Sequence, residues 1–323
     1  MTQNNTSTLE FDNNKIIPLV FGEHNKNIIY IEQELKVVIN DRGGVLNITG
    51  EEKSVNQALN AIEFLYKKAE KENDISKDDV ETAIRFSNNE KDLLGEVSSA
   101  SIVTPRKTIS GRSPTQVSYI ADMQKNTLSF GIGPAGTGKT YLGVAQGVSM
   151  LSAGLVDRII ITRPVVEAGE NLGFLPGDLK EKVDPYLRPI YDALYECMDG
   201  EVVNRKIENG EIEIAPLAYM RGRTLKNAFV ILDEAQNTTT MQMKMFLTRL
   251  GYNTKMVITG DISQVDLNKN IKSGLIEAMD ILKDIDDIGI TVFNSGDVVR
   301  HKLVGKIVRA YEGNEKTNNK NND

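Results

Sequence analysis

The stretch LSFGIGPAGTGKTYLGVAQGVSML, residues 128–151, reads as a buried strand, a glycine-rich turn and a helix in succession. Its middle, Gly133-Pro134-Ala135-Gly136-Thr137-Gly138-Lys139-Thr140, satisfies the pattern G-x-x-x-x-G-K-[ST] at every fixed position. The chemistry needs these residue types. Glycines let the backbone turn with its N–H groups facing inward, which makes a nest for phosphate oxygens. A helix that begins there adds the positive end of its dipole. Lys139 is expected to reach the β- and γ-phosphates of a nucleotide, and Thr140 to offer its hydroxyl to Mg²⁺.

Outward from this loop, apolar strands alternate with helical stretches: RIIIT (158–162), IEIA (212–215), AFVIL (228–232), KMVIT (255–259) and ITVF (290–293). The longer ones are apolar throughout, as strands covered on both faces should be. The alternation predicts an α/β fold, a parallel sheet with helices on both faces.

The run AFVIL ends in Asp233 and Glu234. Ligands of open α/β sheets bind at the carboxyl ends of the strands, so this strand delivers a carboxylate to a metal there. Asp233 is the expected Mg²⁺ residue, acting through a bound water, and Glu234 the group that orients or deprotonates an attacking water. The two motifs are expected to meet across adjacent β-segments. The bland alternative is an exposed acid pair opening a helix, since acids favour helix N-termini. KMVIT likewise ends in Thr259-Gly260-Asp261-Ile262-Ser263-Gln264. Gln264 could bond a phosphate oxygen or the attacking water, or Asp261 could simply cap a turn. The GTP-selective pattern N-K-x-D is not matched by its nearest counterpart, Asn253-Thr254-Lys255-Met256, so ATP is the expected nucleotide.

The 323 residues suggest two domains. Hydrophobic residues make up 40% and charged residues 26%, which fits a soluble globular protein. The net charge of −7 counts mildly against a nucleic-acid binder, although a local basic groove can sit on an acidic protein. The single cysteine, Cys197, excludes an intrachain disulfide, and the polar N-terminus carries no export pattern; both favour a cytoplasmic location. Residues 1–14 and 313–323 read as frayed tails. Residues 15–94 read as a small α+β domain in the order β-α-β-β-α, with IIPLVF (16–21) as its first apolar run and Ser76/Asp79 close to a capping box. Residues 95–115 read as a linker carrying Arg106, Lys107 and Arg112, and 116–312 as the ATPase domain.

Five blocks resemble the PhoH-like ATPases of bacteria in that family's order: GIGPAGTGKTYLGVA, ITRPVVEAGENLGFLPGDLKEKVDPYLRPIYDAL, MRGRTLKNAFVILDEAQNTT, MVITGDISQVDL and VVRHKLVGKIVRAY. The likeness spans roughly 105–312. It implies a core similar to superfamily 1 helicases, with a RecA-like sheet. Gln116 resembles the helicase glutamine that reads the adenine edge, and Gly260, Asp261 and Gln264 the helicase G-D-x-x-Q segment. Arg300 matches an arginine of the last block, either a stabiliser of charge on the transferring phosphoryl group, in its own subunit or a neighbour's, or an ordinary surface arginine. Arg163, Arg221 and Arg223 lie at or near strand ends and are candidates for contact with phosphate or RNA, or for pairing with local acids.

The small N-terminal domain resembles the KH-like domain of longer family members. KH domains clamp nucleic-acid backbone with a GXXG loop; Gly22-Glu23-His24-Asn25 keeps only the first glycine. Residues 167–194 are too long for a simple β-α connection. They read equally as a functional insertion or as a helix hairpin covering the sheet edge.

The resemblance implies ATP-driven work on RNA, an association with an rRNA-processing endoribonuclease, and a homo-oligomer such as a hexameric ring. A nucleotide-gated scaffold and a small-molecule phosphotransferase are the competing functions.

Overall fold

The computed structural model describes residues 4–13, 15–72, 74–87, 100–164, 179–268 and 270–298. The chain divides into two compact units, one of residues 1–101 with 110–117 and one of residues 102–109 with 118–323.

The first unit runs β1 (Asn4–Glu10), α1 (Ile17–Phe21), α2 (Lys26–Leu35), β2 (Val38–Arg42), β3 (Val45–Glu51), α3 (Glu52–Glu72) and α4 (Lys77–Phe86). Its three strands form an antiparallel sheet in the order β1-β3-β2. Leu46 and Ile48 of β3 share a fully buried core with Ile31 of α2 and with Val55, Ile62 and Leu65 of α3. The three α3 positions are spaced by seven and three, as one face of a helix requires. The capping box at Ser76 and Asp79 is formed.

Two expectations change here. Residues 1–14 are not simply a frayed tail, because Asn4–Glu10 is a strand paired with β3 along its whole length. Its polar side chains suit the edge of a sheet: Thr6 bonds Thr49 at 3.2 Å, and the Thr8 hydroxyl donates to Asn47 at 3.2 Å. The run IIPLVF is a helix rather than the first strand. Pro18 falls in its first turn, where a missing N–H is no loss.

The span read as a linker also holds more structure than expected. Residues 101–110 form a two-stranded sheet of β4 (Ser101–Val103) and β5 (Thr108–Ser110), and α5 (Pro114–Lys125) follows at once.

The second unit is built on β6 (Leu128–Ile132), α6 (Lys139–Ser152), β7 (Arg158–Arg163), α7 (Leu179–Cys197), α8 (Gly200–Glu208), β8 (Ile212–Pro216), β9 (Ala228–Leu232), α9 (Thr240–Leu247), β10 (Lys255–Gly260), α10 (Gly274–Leu282) and β11 (Ile288–Val292). The sheet has six parallel strands in the order β11-β6-β10-β9-β7-β8. Every residue of β6 and β9 is buried, as their unbroken apolar sequences require. Ile190 and Leu194 of α7 are fully buried, and this helix packs against α6. The helical part of 167–194 is therefore a packed element; residues 165–178 lie outside the described residues, as do Arg300 and the 313–323 tail. No helix among the described residues is long and apolar enough to cross a membrane.

The strand order corrects one expectation. The strand before the phosphate loop and the strand ending in Asp233 are not adjacent, because β10 pairs with both. The consecutive β9 and β10 sit beside each other, β10 enters between β9 and the earlier strand β6, and the chain then passes β6 to place β11 at the edge.

Candidate functional site

The loop 133–140 adopts the backbone that its glycines predict. Gly136 and Gly138 have φ of 83° and 84°, in the left-handed region where side chains are disfavoured. Gly133 has φ of 145°, and a Cβ there would lie 2.4 Å from the Phe293 carbonyl oxygen. The Gly133 N–H donates to the Gly260 carbonyl at 3.0 Å, which ties the start of the loop to the end of β10. Lys139 opens α6 and is buried. Its Nζ donates to the carbonyls of Gly133 at 2.6 Å and Pro134 at 2.7 Å, and to the Thr137 hydroxyl at 3.3 Å. The ammonium thus lies over the loop, where it can exchange carbonyl partners for phosphate oxygens. Burial pulls its pKa below the ordinary lysine value, against the opposing pull of Asp261, Asp233 and Glu234.

The loop and the acids converge. The Thr140 hydroxyl donates to Asp233 Oδ1 at 2.7 Å, and the Thr259 hydroxyl from β10 donates to the same oxygen at 2.5 Å. Asp233 is almost fully buried, so its charge is held by these donors and by a third. Arg163, the last residue of β7, gives Asp233 Oδ2 an Nε–H at 2.8 Å and a second bond from Nη2. The Asp233 N–H bonds the Thr162 carbonyl at 2.9 Å, which extends the β7–β9 ladder to the acid itself.

Glu234 turns away from Asp233 through a left-handed backbone, φ 53° and ψ 38°. Its side chain is half exposed, with Oε1 4.0 Å from Arg163 Nη2. Acids in a helix N-terminus do not account for this geometry: only a short 3₁₀ turn, Ala235–Asn237, follows. The oxygens of Thr140 and Asp233 suit a hard divalent cation. Mg²⁺ keeps several waters and needs only one or two protein oxygens besides the phosphates, so the residues present fit that ion.

Gln236, not singled out from the sequence, links two motifs. It is buried; its Nε2 donates to Glu234 Oε2 at 2.7 Å, and its Oε1 accepts the Asp261 N–H at 3.0 Å. Asp261 in turn accepts Ser263 N–H at 3.0 Å and Gln264 Nε2 at 2.8 Å. Asp261 thus has the turn-capping role, and Gln264 is bonded to it. The only signal in the sequence was the position of Gln236 three residues beyond Asp233, the acid that tips the strand. Thr259 and Arg163 carried a clearer one, as polar residues ending apolar parallel strands.

The other arginines divide. Arg223 pairs bidentately with Glu213 at 2.6 and 2.8 Å. Arg221 follows the 3₁₀ turn Leu217–Met220 and is exposed. Gln116, near the start of α5, is buried, and its side-chain oxygen accepts the Arg112 N–H at 2.7 Å. Cys197 is buried with its thiol pushed up to about 11 by burial, which argues against a thiolate nucleophile at neutral pH.

The family model described as "PhoH-like protein" matches residues 108–312. A PhoH-like protein of Bacillus subtilis is 51% identical over 296 residues, which cover 91% of this chain and 93% of that protein. One from Synechocystis is 44% identical over 315 residues, 97% of this chain and 96% of that one. Protein PhoH of Escherichia coli is 46% identical over 205 residues, 63% of this chain and 58% of its own. Among solved structures, a Sulfolobus solfataricus SWI2/SNF2 ATPase core in complex with dsDNA aligns with a TM-score of 0.29 and 14% identity over 45% of this chain and 30% of that one, too slight a likeness to carry weight. With its phosphate loop, acid-tipped strand and matching relatives over nearly its whole length, this chain belongs to the PhoH-like protein family.

Proposed function

We propose that the protein binds Mg²⁺ and ATP at the loop 133–140 and hydrolyses the terminal phosphate. The observation that carries this reading is the pair of hydroxyls, from Thr140 and Thr259, meeting on Asp233 with Glu234 beside it. Mg²⁺ would be held by Thr140 directly and by Asp233 through water, and it would supply charge neutralisation on the phosphates. The loop N–H groups from Gly133 to Thr140 and the Lys139 ammonium bind and orient the phosphates. Glu234, half exposed at the mouth of the site, takes a proton from the attacking water. Gln264 and Arg300 are proposed to stabilise charge at the terminal phosphate, and Gln116 to read the base.

The work driven by this hydrolysis is proposed to be remodelling of RNA in the cytoplasm, in company with an endoribonuclease and within a homo-oligomer. Support comes from the family resemblance; the turn Gly22–Asn25, which keeps only the first glycine of a GXXG clamp, adds none by its sequence. That turn joins α1 to α2 in an exposed position, with Gly22, His24 and Asn25 all at positive φ. A KH domain presents its backbone clamp on a comparable tight loop.

The test uses Glu234→Gln. An ATPase keeps ATP binding and loses about 100-fold or more in turnover. A phosphotransferase would lose little, and that result would remove the hydrolytic reading. Turnover of the wild type with and without structured RNA tests the second half, which an unchanged rate would refute.

A further inference from the structure

We infer that Arg163 sets the magnesium affinity of the site by competing with the hydrated ion for Asp233; this rests on the nucleotide reading above. A carboxylate offers about four lone-pair sites. On Asp233 two are filled by the Thr140 and Thr259 hydroxyls at Oδ1, and two at Oδ2 by N–H groups of Arg163. The Thr140 hydroxyl can ligate a cation through its oxygen while its proton still points at Asp233. Thr259 donates from within the sheet and is fully buried. A water on Mg²⁺ that donates to Asp233 therefore has one donor it can displace, the guanidinium.

The position of Arg163 makes that exchange feasible. Its side chain is only 14% exposed, yet it sits at the strand end facing Glu234, 4.0 Å away. A displaced guanidinium stays in the site, next to the half-exposed acid and the phosphates. Because arginine does not lose its proton in proteins, the competition persists at every working pH. Arg163 is thus a positioning residue for Asp233, and its removal should help metal binding, whereas the loss of a merely structural partner should weaken it.

The experiment titrates ADP into the full chain at a series of Mg²⁺ concentrations, read by calorimetry, so that no turnover is involved. The wild type is compared with Arg163→Gln and Arg163→Lys. The expected result is a half-saturating Mg²⁺ concentration lower by on the order of tenfold in R163Q, from loss of a charge-assisted competitor. R163K, which gives up the two-pronged geometry but keeps the charge, should fall between, and ADP affinity in EDTA should not improve in either. A midpoint unchanged or raised in R163Q overturns the inference. If R163Q fails to fold by circular dichroism, R163K decides it: a midpoint equal to the wild type refutes the competition. Failure of the wild type to bind ADP at any Mg²⁺ concentration would remove the nucleotide reading and this inference with it, an outcome distinct from wild-type binding with unaltered midpoints in the variants.

Discussion

The Thr140 hydroxyl donates to Asp233 Oδ1 at 2.7 Å, although the strands leading to these two residues are separated by β10. The contact is possible because Thr140 lies beyond the strand, on the first turn of α6, and reaches over the intervening strand end. That strand contributes its own hydroxyl from Thr259, so Asp233 is held from both neighbours in the sheet as well as from the loop.

Replacing Thr259 by valine keeps the shape and removes one donor from a buried carboxylate. The loss should cost about 1–3 kcal/mol of stability, the range for a buried group deprived of a partner. Denaturant unfolding measures it, and an unchanged midpoint would show that the carboxylate finds another donor. Mg²⁺-dependent hydrolysis should fall by about tenfold in the same variant as Asp233 loosens.

Gln236 offers a cleaner separation of chemistry from binding. Gln236→Ala cuts the bridge from Glu234 to Asp261 without touching the phosphate loop. The expected outcome is a kcat lower by about 30- to 100-fold, as for a catalytic group displaced by about an ångström, with KM for ATP little changed. Steady-state kinetics distinguish this from a binding defect, in which KM would rise at constant kcat.

Lys139 makes nucleotide affinity depend on pH in a defined direction. Its pKa is lowered from the ordinary 10.5 by burial, and only the protonated ammonium attracts phosphate. ADP affinity should fall as the pH rises through this lowered value. Stability runs the other way. Between the folded and unfolded pKa values the unfolded chain binds more protons, so this group's contribution to stability rises with pH and is lost as pH falls through the folded value. Calorimetry from pH 7 to 10 checks the first slope. Lys139→Arg should remove the alkaline fall, since its guanidinium stays charged across that range.

Lys255 tests the scaffold. Its Nζ donates to the carbonyls of Met123 at 3.2 Å, Gln124 at 2.7 Å and Asn126 at 2.7 Å, closing the C-terminal end of α5 just before β6. Lysine suits this place because the last carbonyls of a helix lack partners and carry its negative dipole end. Lys255→Met should destabilise the second unit by about 2 kcal/mol, with ADP affinity at saturating Mg²⁺ preserved in the folded fraction.

The inner strands of the parallel sheet were legible because each is a short apolar run bounded by polar residues, and burial on both faces leaves no other pattern. The phosphate loop was legible because its glycines are demanded by backbone angles rather than by packing. What escaped was of another kind. Asn4–Glu10 is polar because it is an edge strand, and polarity at a chain end reads as fraying. IIPLVF is helical although short apolar runs favour neither state, and its proline decides only once the helix start is known. Strand order is non-local: nothing in AFVIL or LSFGI says that KMVIT lies between them. Gln236 and Arg163 acquire their roles from partners 25 and 70 residues away.

The insertion of β10 makes the sheet itself a ruler for the chemistry. The loop strand and the acid strand stand two strand spacings apart, about 9.6 Å at the usual interval, and the side chains of Met256, Val257 and Ile258 in the strand between them are buried. A bulkier residue at one of these apolar positions would press on the elements packed against the sheet faces and tilt the strand end that carries Thr259, without altering a single polar group. Lesions in this hidden seam would thus masquerade as defects of the active residues while leaving all of them in place.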